Sequence, residues 1–355
     1  MKISRKVGWD LFRVLMVLVV FAFHANMHLG LSFGIFTKFV TAGSLCMSGF
    51  FMLSGAVLYY RYGNKGVFDN GLKGFYLKRF LSILPLYWAI MVLYFLDNPI
   101  NSEGLKILPI EILGIQALLP VSFFMVHNGG TWFVSCLLIC YVVFPLIAKL
   151  IEGLGKTRLI TLCILLITFD IYVLMIVYRF GLVELYSTPV SRCIQFAIGC
   201  IIAATIKTGK NGSIRMPLYI VTFVAAAVTA LLLIITTKMV ENGFFADADI
   251  LQKLAMYDVV AVPCFAVLIF ILGCTDTNAG GKILMYASNL AYAFFLAQLF
   301  IFERAGKMFD VWDISNNKLR ILITFIICLI FASALHIVIE KPANTFVRNK
   351  ILSKQ

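Results

Sequence analysis

The chain has 355 residues, of which 61% are hydrophobic and only 13% are charged, and its mean hydropathy is +0.96. This composition excludes a soluble globular domain and is typical of a polytopic membrane protein. The net charge of +13 follows from the predicted membrane topology, described below, and does not indicate a nucleic-acid partner.

Apolar runs of roughly 17–25 residues, the length that a transmembrane helix needs, recur along the whole chain. The predicted spans are 9–28, 39–60, 80–97, 131–149, 157–178, 193–207, 216–238, 256–273, 283–303 and 319–340. Glu111 and Pro120 interrupt a further apolar run at 110–126, for which the alternatives are an eleventh span and a shallow or re-entrant element; the charge count favours the second. The sequence therefore predicts an all-α integral membrane protein of about ten transmembrane helices, with residues 1–355 as a single domain.

The distribution of basic residues predicts the orientation of the chain in the membrane. With ten spans and a cytoplasmic N-terminus, nineteen of the thirty Lys and Arg residues fall in inner segments, ten fall outside and Arg13 lies in the first span. The outer loops hold most of the acidic residues. Because cytoplasmic loops are rich in Lys and Arg, we predict that both termini are cytoplasmic. Anionic membrane lipids are then the expected partners of the inner loops.

Arg13 and His24 lie eleven positions apart in the first span. Eleven helical steps of about 100° return almost to the starting direction, so both side chains share one helix face. They are about 16 Å apart along the helix axis. Ionisable side chains are costly in a bilayer and tend to line cavities, to pair or to carry function. The alternatives are that Arg13 reaches the headgroups and that His24 is a hydrogen-bonded structural residue.

The nine cysteines lie in or beside apolar spans, and none has a metal-type spacing with a histidine. Cys136 and Cys140 are one helical turn apart, which is more typical of small buried thiols in a packed bundle than of a ligand pair. We therefore expect neither a metal site nor a disulfide framework.

Seven local patterns follow one another along the spans. They are Arg13 with His24, then 50–55, then 75–80 running into 83–88, then 130–133 with Tyr141 and Pro145, then Arg192 with Phe196 and Gly199, then Tyr292 with Leu296, and finally 340–342. In this order, and over nearly the full chain, they resemble the acyltransferase-3 family of integral-membrane acyltransferases.

The resemblance implies transfer of an acyl group, usually acetyl, from a cytoplasmic acyl-CoA to a hydroxyl group on the other side of a bacterial-type cytoplasmic membrane. The acceptors that it implies are sugars of surface polysaccharides or lipid-linked saccharides. The family's Arg-x10-His motif matches Arg13 and His24, and the histidine is regarded as its catalytic group. A histidine can act as a general base toward a sugar hydroxyl or can take the acyl group itself. Arg13 is expected to bind oxygens of the donor, acetyl-CoA or another acyl-CoA.

Three residues near the inner face are expected to support the donor site. Asp10, one turn before Arg13, is placed to orient its guanidinium. Lys78 and Arg79 begin the third span, where they either contact the CoA phosphates or anchor the helix to headgroups. The chain departs from the family here, because the second of its usual pair of arginines is replaced by Ser82.

Candidate residues on the outer side are Trp132 and Arg192, with two carboxylates. Trp132 is expected to stack on a sugar ring or to be a packing aromatic, and Arg192 to meet an anionic acceptor or headgroups. The family's usual glutamate and histidine are replaced by Leu137 and Gln298. Asp258, or the deeper Asp170, is therefore the candidate on depth alone for a carboxylate that orients His24. His28, one turn beyond His24, is expected at headgroup level or on the acceptor side.

Small residues and the end of the last span are expected to have structural roles. Ser54 and Gly55, together with Gly49 and Gly199, allow close helix approach. Glu340 and Pro342 end the last span, where we predict that the proline stops the helix.

Two alternatives belong to other functional classes. A glycan or lipid transporter would move its substrate without chemistry, and broken helices in paired halves would favour it; the sequence shows no such halves. A membrane sensor or interaction module would keep the fold without catalysis, as Ser82, Leu137 and Gln298 favour. Retention of Arg13 and His24 favours the enzyme.

Overall fold

The computed structural model describes residues 5–63, 71–97, 102–119, 128–182, 186–209, 214–243, 250–275 and 281–352. Within these ranges the chain forms α-helices joined by short turns, and no β-strand occurs. The helices are α1 Val7–Leu29, α2 Thr37–Val40, α3 Cys46–Tyr62, α4 Gly71–Leu81, α5 Leu84–Asp97, α6 Ser102–Leu113, α7 Trp132–Ile151, α8 Lys156–Phe180, α9 Pro189–Lys207, α10 Leu218–Glu241, α11 Ile250–Gly273, α12 Gly281–Val311, α13 Asn317–Leu335 and α14 Lys341–Leu352.

Ten helical stretches in the described part of the chain are long and apolar enough to cross a membrane. They are Val7–Leu29, Gly43–Tyr62, Gly71–Asp97, Gly129–Ile151, Lys156–Phe180, Pro189–Lys207, Leu218–Glu241, Lys253–Gly273, Gly281–Val311 and Asn317–Phe346. Each coincides with one predicted span, so the all-α, ten-span prediction is confirmed. In the apolar run at 110–126, the described residues form the end of α6 and a 3-10 turn at Gln116–Leu118. Residues 120–126 lie outside the described ranges.

The centre of the bundle is built on the close approach of α3 and α9. A Cβ atom added to Gly55 would overlap the carbonyl oxygen of Phe196, and one added to Gly199 would overlap the carbonyl oxygen of Met52. These contacts confirm the predicted packing role of the two glycines, since small residues let helix backbones touch. By contrast, α8 and α10 are mostly exposed along their apolar lengths, as helices that face lipid would be.

The third span consists of two helices rather than one. The helix α4 ends at Leu81 and α5 begins at Leu84, with Pro85 in its first turn. In the first turn of a helix the missing N–H of a proline costs no helical hydrogen bond, whereas within one continuous helix Pro85 would lose a donor and clash with the carbonyl group of Leu81. The hydroxyl of Ser82 donates to the carbonyl oxygen of Arg79 at 2.7 Å and so satisfies one carbonyl where α4 ends. The break lies beside the arginine that the sequence placed at the donor site.

The prediction that Pro342 stops the last helix is wrong. The chain passes from α13 through one π-helical turn, His336–Glu340, directly into α14, which contains Pro342. A proline ring clashes with the carbonyl group four residues earlier in a regular α-helix, and the wider π turn there relieves this clash. Within the turn, Nδ1 of His336 and Oε2 of Glu340 are hydrogen-bonded at 2.8 Å.

We predict that Gly199→Ala destabilises the protein, whereas Gly306→Ala does not. Both glycines lie inside helices, and alanine gains about 1 kcal/mol of helix propensity at either position. At Gly199 the added methyl group overlaps the backbone of α3, and such overpacking costs about 1–3 kcal/mol or more. At Gly306 the nearest atom, Cδ2 of Leu29, is 3.6 Å away.

Thermal unfolding midpoints of the purified variants in detergent measure the difference. Equal midpoints for the two alanine variants would contradict the close approach of α3 and α9.

Candidate active site

A cavity with a volume of ≈ 290 Å³ lies toward the end of the bundle where α1 begins. We call it the arginine cavity; its polar lining comes from Arg13, Ser54, Arg79, Ser82, Tyr141, Ser288, Asn289, Tyr292, Glu340 and Asn344. The helices α1, α3, α4, α7, α12 and α14 contribute to this polar lining, together with the break before α5 and the π turn. Arg13 and Arg79, which the sequence placed at the donor site, therefore lie in one cavity, together with Ser54 and Glu340, for which structural roles were expected.

Arg13 is held by a hydrogen-bonded cluster at the wall of the arginine cavity. Its Nη1 atom donates to Oγ of Ser288 at 2.9 Å, and that hydroxyl donates to Oδ1 of Asp10 at 2.7 Å. The same Asp10 oxygen is 3.7 Å from Nη1 of Arg13 and accepts from Nη2 of Arg5 at 2.8 Å. The structure thus places Asp10 beside Arg13, with Ser288 as an intermediary that the sequence did not reveal.

Arg79 brings a second cation to the arginine cavity. Its guanidinium carbon is 4.9 Å from the ring centroid of Tyr62 and 5.9 Å from that of Tyr141. Among the described residues, its Nε atom has no hydrogen-bond partner. The neighbouring Lys78 is half-buried on α4 and is not among the residues that line the cavity. Arg79, rather than Lys78, is therefore placed to meet an anionic ligand in this cavity.

A second cavity, of ≈ 380 Å³, lies beyond the first and contains His24. We call it the histidine cavity; its polar and aromatic lining includes His24, His28, Ser44, Trp132, Tyr186 and Glu303. The Nδ1 atom of His24 is buried and has no hydrogen-bond partner among the described residues. The ring of His28 is 5.6 Å from that of His24 and stacks on Phe302 at 6.2 Å. His24 thus combines a place in the lining of this cavity with a buried imidazole nitrogen that has no bond among the described residues, an arrangement that a ligand or a shift of the ring could satisfy.

Glu303 is a residue of the histidine cavity that the sequence analysis missed. It lies on α12, and its Oε2 atom is 3.4 Å from Nη1 of Arg304. Arg304 in turn forms an ion pair with Asp97 at the end of α5. The sequence does indicate the depth of Glu303 in the membrane, because it falls at the predicted outer end of its span, as His24 does. Depth does not show which helices are neighbours, so the sequence does not distinguish Glu303 from other acidic residues near the membrane surface.

Arg192 and Asp258 form a buried ion pair behind the wall of the histidine cavity. The Nη1 atom of Arg192 is 2.9 Å from Oδ2 of Asp258, and both side chains are at most 2% exposed. Oδ1 of Asp258 accepts from the hydroxyl of Ser48 at 2.8 Å. Gln195 accepts from Arg192 at 3.0 Å and donates to Asp170 at 3.0 Å. The structure therefore places Asp258 and Asp170 in this network rather than beside His24.

Arg192 also lies against the aromatic residues of that wall. Its guanidinium carbon is 5.3 Å from the ring centroid of Trp132 and 4.8 Å from that of Tyr186, and both rings line the histidine cavity. Trp132 is thus brought to the cavity with His24, whereas Arg192 and Asp258 are not among the residues that line it. Their placement favours support of the wall over direct contact with an acceptor.

The model of the acyltransferase domain family (acyltransferase-3) matches residues 6–338, nearly the whole chain. The chain belongs to this family. Membership confirms the resemblance seen in the sequence and supports acyltransferase activity in a multi-pass membrane protein. No curated protein and no solved structure matches the chain.

We predict that Asp258→Leu strongly destabilises this acyltransferase-3 protein and that adding Arg192→Met restores part of the loss. The single change leaves a buried guanidinium without its counter-ion, at a cost of about 3–5 kcal/mol, whereas an apolar replacement of a whole buried pair is often neutral. The free energy of unfolding of both variants is measured in mixed micelles.

Glu241→Gln is the matched control. It breaks the ion pair with Lys38, which is 3.3 Å long and about half exposed on both sides, and such exposed pairs contribute about 0–1 kcal/mol. A double variant less stable than Asp258→Leu alone would contradict the buried pair.

Proposed function

We propose that the protein is an O-acyltransferase that moves an acyl group, in particular acetyl, from acyl-CoA in the arginine cavity to a sugar hydroxyl in the histidine cavity. The observation that carries the proposal is that one face of α1 supplies Arg13 to one cavity and His24 to the other. The two positions are about 16 Å apart along the helix. This arrangement suits a reaction whose two substrates arrive from opposite sides of a membrane.

The donor site is proposed at the arginine cavity because it gathers two guanidinium groups, those of Arg13 and Arg79. Guanidinium groups bind phosphate oxygens through paired, charge-assisted hydrogen bonds. The excess of Lys and Arg in the inner segments supports a cytoplasmic arginine cavity with both termini on the same side. Acyl-CoA, a cytoplasmic substrate with several phosphates, fits these residues.

The acceptor site is proposed at the histidine cavity because its lining suits a sugar. Trp132 and Tyr186 present aromatic surface, and His24, Ser44 and Glu303 present hydrogen-bonding groups. We propose as acceptor a hydroxyl group of a surface glycan or a lipid-linked saccharide at the outer face of a bacterial cytoplasmic membrane. The matching cell-envelope role is O-acetylation of a polysaccharide or of its precursor.

In the proposed reaction His24 is the general base. It takes the proton of the sugar hydroxyl as the oxygen attacks the thioester carbonyl carbon, so that a new C–O bond forms and the C–S bond breaks. The CoA sulfur leaves with the electron pair of the broken bond and receives the proton, which yields a free thiol and an ester. Glu303 lines the same cavity as His24, and its negative charge stabilises the imidazolium that forms in this step.

His24→Ala and Arg13→Ala are predicted to impair transfer by different routes. Loss of a general base lowers kcat by about 100-fold or more, whereas loss of Arg13 chiefly raises KM for acyl-CoA. The assay uses the protein in liposomes, labelled acetyl-CoA on the arginine side, and N-acetylglucosamine, galactose or polyprenyl-diphosphate-linked oligosaccharides on the other.

Arg158→Ala, at an exposed position of α8, is the control and should transfer like the wild type. Equal transfer by all variants would overturn the catalytic assignment. Passage of an oligosaccharide across the bilayer without consumption of the thioester would establish a transporter instead.

Glu303→Gln is predicted to lower kcat by about tenfold or more while the KM for acyl-CoA stays unchanged, because the carboxylate acts in the acceptor cavity. Glu303→Asp keeps the charge and should recover part of kcat. A change in the KM for acyl-CoA with kcat unchanged would contradict the assignment.

A further inference from the structure

Three phenylalanine rings lie where the arginine and histidine cavities meet. Phe295 lines both cavities, and Phe50 and Phe133 line the arginine cavity. The ring centroids are 4.9 Å apart for Phe133 and Phe295, 6.1 Å for Phe50 and Phe295, and 6.1 Å for Phe50 and Phe133. Each ring thus contacts the other two. We call this cluster the phenylalanine triangle.

Two rings of the triangle are held in place by packing, and the third has room to move. Phe133 packs on Phe51 at 4.9 Å, and Phe51 is fully buried. Phe50 and Phe133 are themselves at most 9% exposed. Phe295 is only partly buried and has a cavity on either side of it. A rotation of the Phe295 side chain would therefore open a passage between the cavities with little other rearrangement.

Two leucines extend the apolar surface of the triangle, one into each cavity. Leu137, one helical turn beyond Phe133, lines the arginine cavity, and Leu299, one turn beyond Phe295, lines the histidine cavity. Hydrophobic constrictions of this kind exclude water and block ions by dewetting. An anionic group that passes between the rings loses its water and gains no hydrogen bond, which is costly.

Resting on the proposed function, we propose that the phenylalanine triangle is both the seal between the two sides of the membrane and the selector of the acyl group. The Phe295 ring rotates to admit the uncharged thioester arm with a small, neutral acyl group. It then returns and blocks water and protons. Acetyl passes, whereas the carboxylate of a succinyl group and the branched chain of an isobutyryl group are rejected at the rings. No bond changes at the triangle; the transfer itself takes place beyond it, at His24.

The selector is tested by comparing acetyl-CoA, isobutyryl-CoA and succinyl-CoA as donors for the protein in liposomes. The wild type should prefer acetyl over succinyl by about 100-fold or more in kcat/KM, since a desolvated charge is heavily penalised. Phe295→Ala should reduce two preferences in kcat/KM, that for acetyl over succinyl and that for acetyl over isobutyryl, by about tenfold or more each. The reason is that exclusion of one group by a closed apolar site changes kcat/KM by about this factor. Phe50→Ala serves as the second variant if Phe295→Ala does not fold.

Phe300→Ala is the matched control. Phe300 lies on the same helix, stacks on Phe331 at 5.9 Å and is not among the residues that line either cavity. Its removal should leave donor preference unchanged. Equal use of succinyl-CoA and acetyl-CoA by the wild type, or an unchanged preference in Phe295→Ala, would overturn the selector.

The seal is tested independently of catalysis. Liposomes that contain a pH-sensitive dye report proton entry after an external pH step, and Phe295→Ala should leak faster than the wild type and Phe300→Ala. Equal leak rates would overturn the seal. If the wild type transfers no acyl group from any donor, the proposed function and the selector fail together, and the proton measurement alone decides whether the triangle closes the bundle.

Discussion

The cost of placing a charged side chain inside a bilayer is the constraint on which the rest of this structure depends. The chain meets it in two ways. Arg192 is neutralised by Asp258 within a buried network that lies behind the wall of the histidine cavity and does not line it. Arg13, which is held by Asp10 through Ser288, and His24 border cavities instead. The buried pair supports the wall, and the side chains that border a cavity can meet a ligand.

Helix packing connects that wall to the proposed site. The glycine contacts between α3 and α9 bring Phe51 of α3 close to Arg192 of α9, and Ser48 of α3 donates to Asp258, the partner of Arg192. Because Arg192 also lies against Trp132, the most closely packed part of the bundle supports the lining of the histidine cavity. The same α3 carries Phe50 to the junction of the two cavities. Stability and the geometry of the site therefore depend on one helix crossing.

Much of the fold follows from local sequence, and the departures have local physical causes. The spans could be predicted because hydrocarbon thickness demands long apolar segments. The separate helix α4 and the π turn before Pro342 could not be predicted from the sequence. Hydropathy does not reveal α4 as a helix, because Lys73, Lys78 and Arg79 lie among its apolar residues. The prediction that Pro342 ends the last helix fails because the wider π turn before it relieves the clash of the proline ring with the helix backbone.

The sequence by itself determined the spans, the family pattern and the stripe that joins Arg13 to His24, because helix periodicity relates residues within one segment. Only the tertiary structure decided which residues of other helices lie beside that stripe. It placed Ser288 next to Arg13 and Glu303 in the cavity of His24, and it put Phe295 between the two cavities. The physical reason is that lateral neighbours in a bundle are set by side-chain packing between helices, which neither depth nor hydropathy encodes.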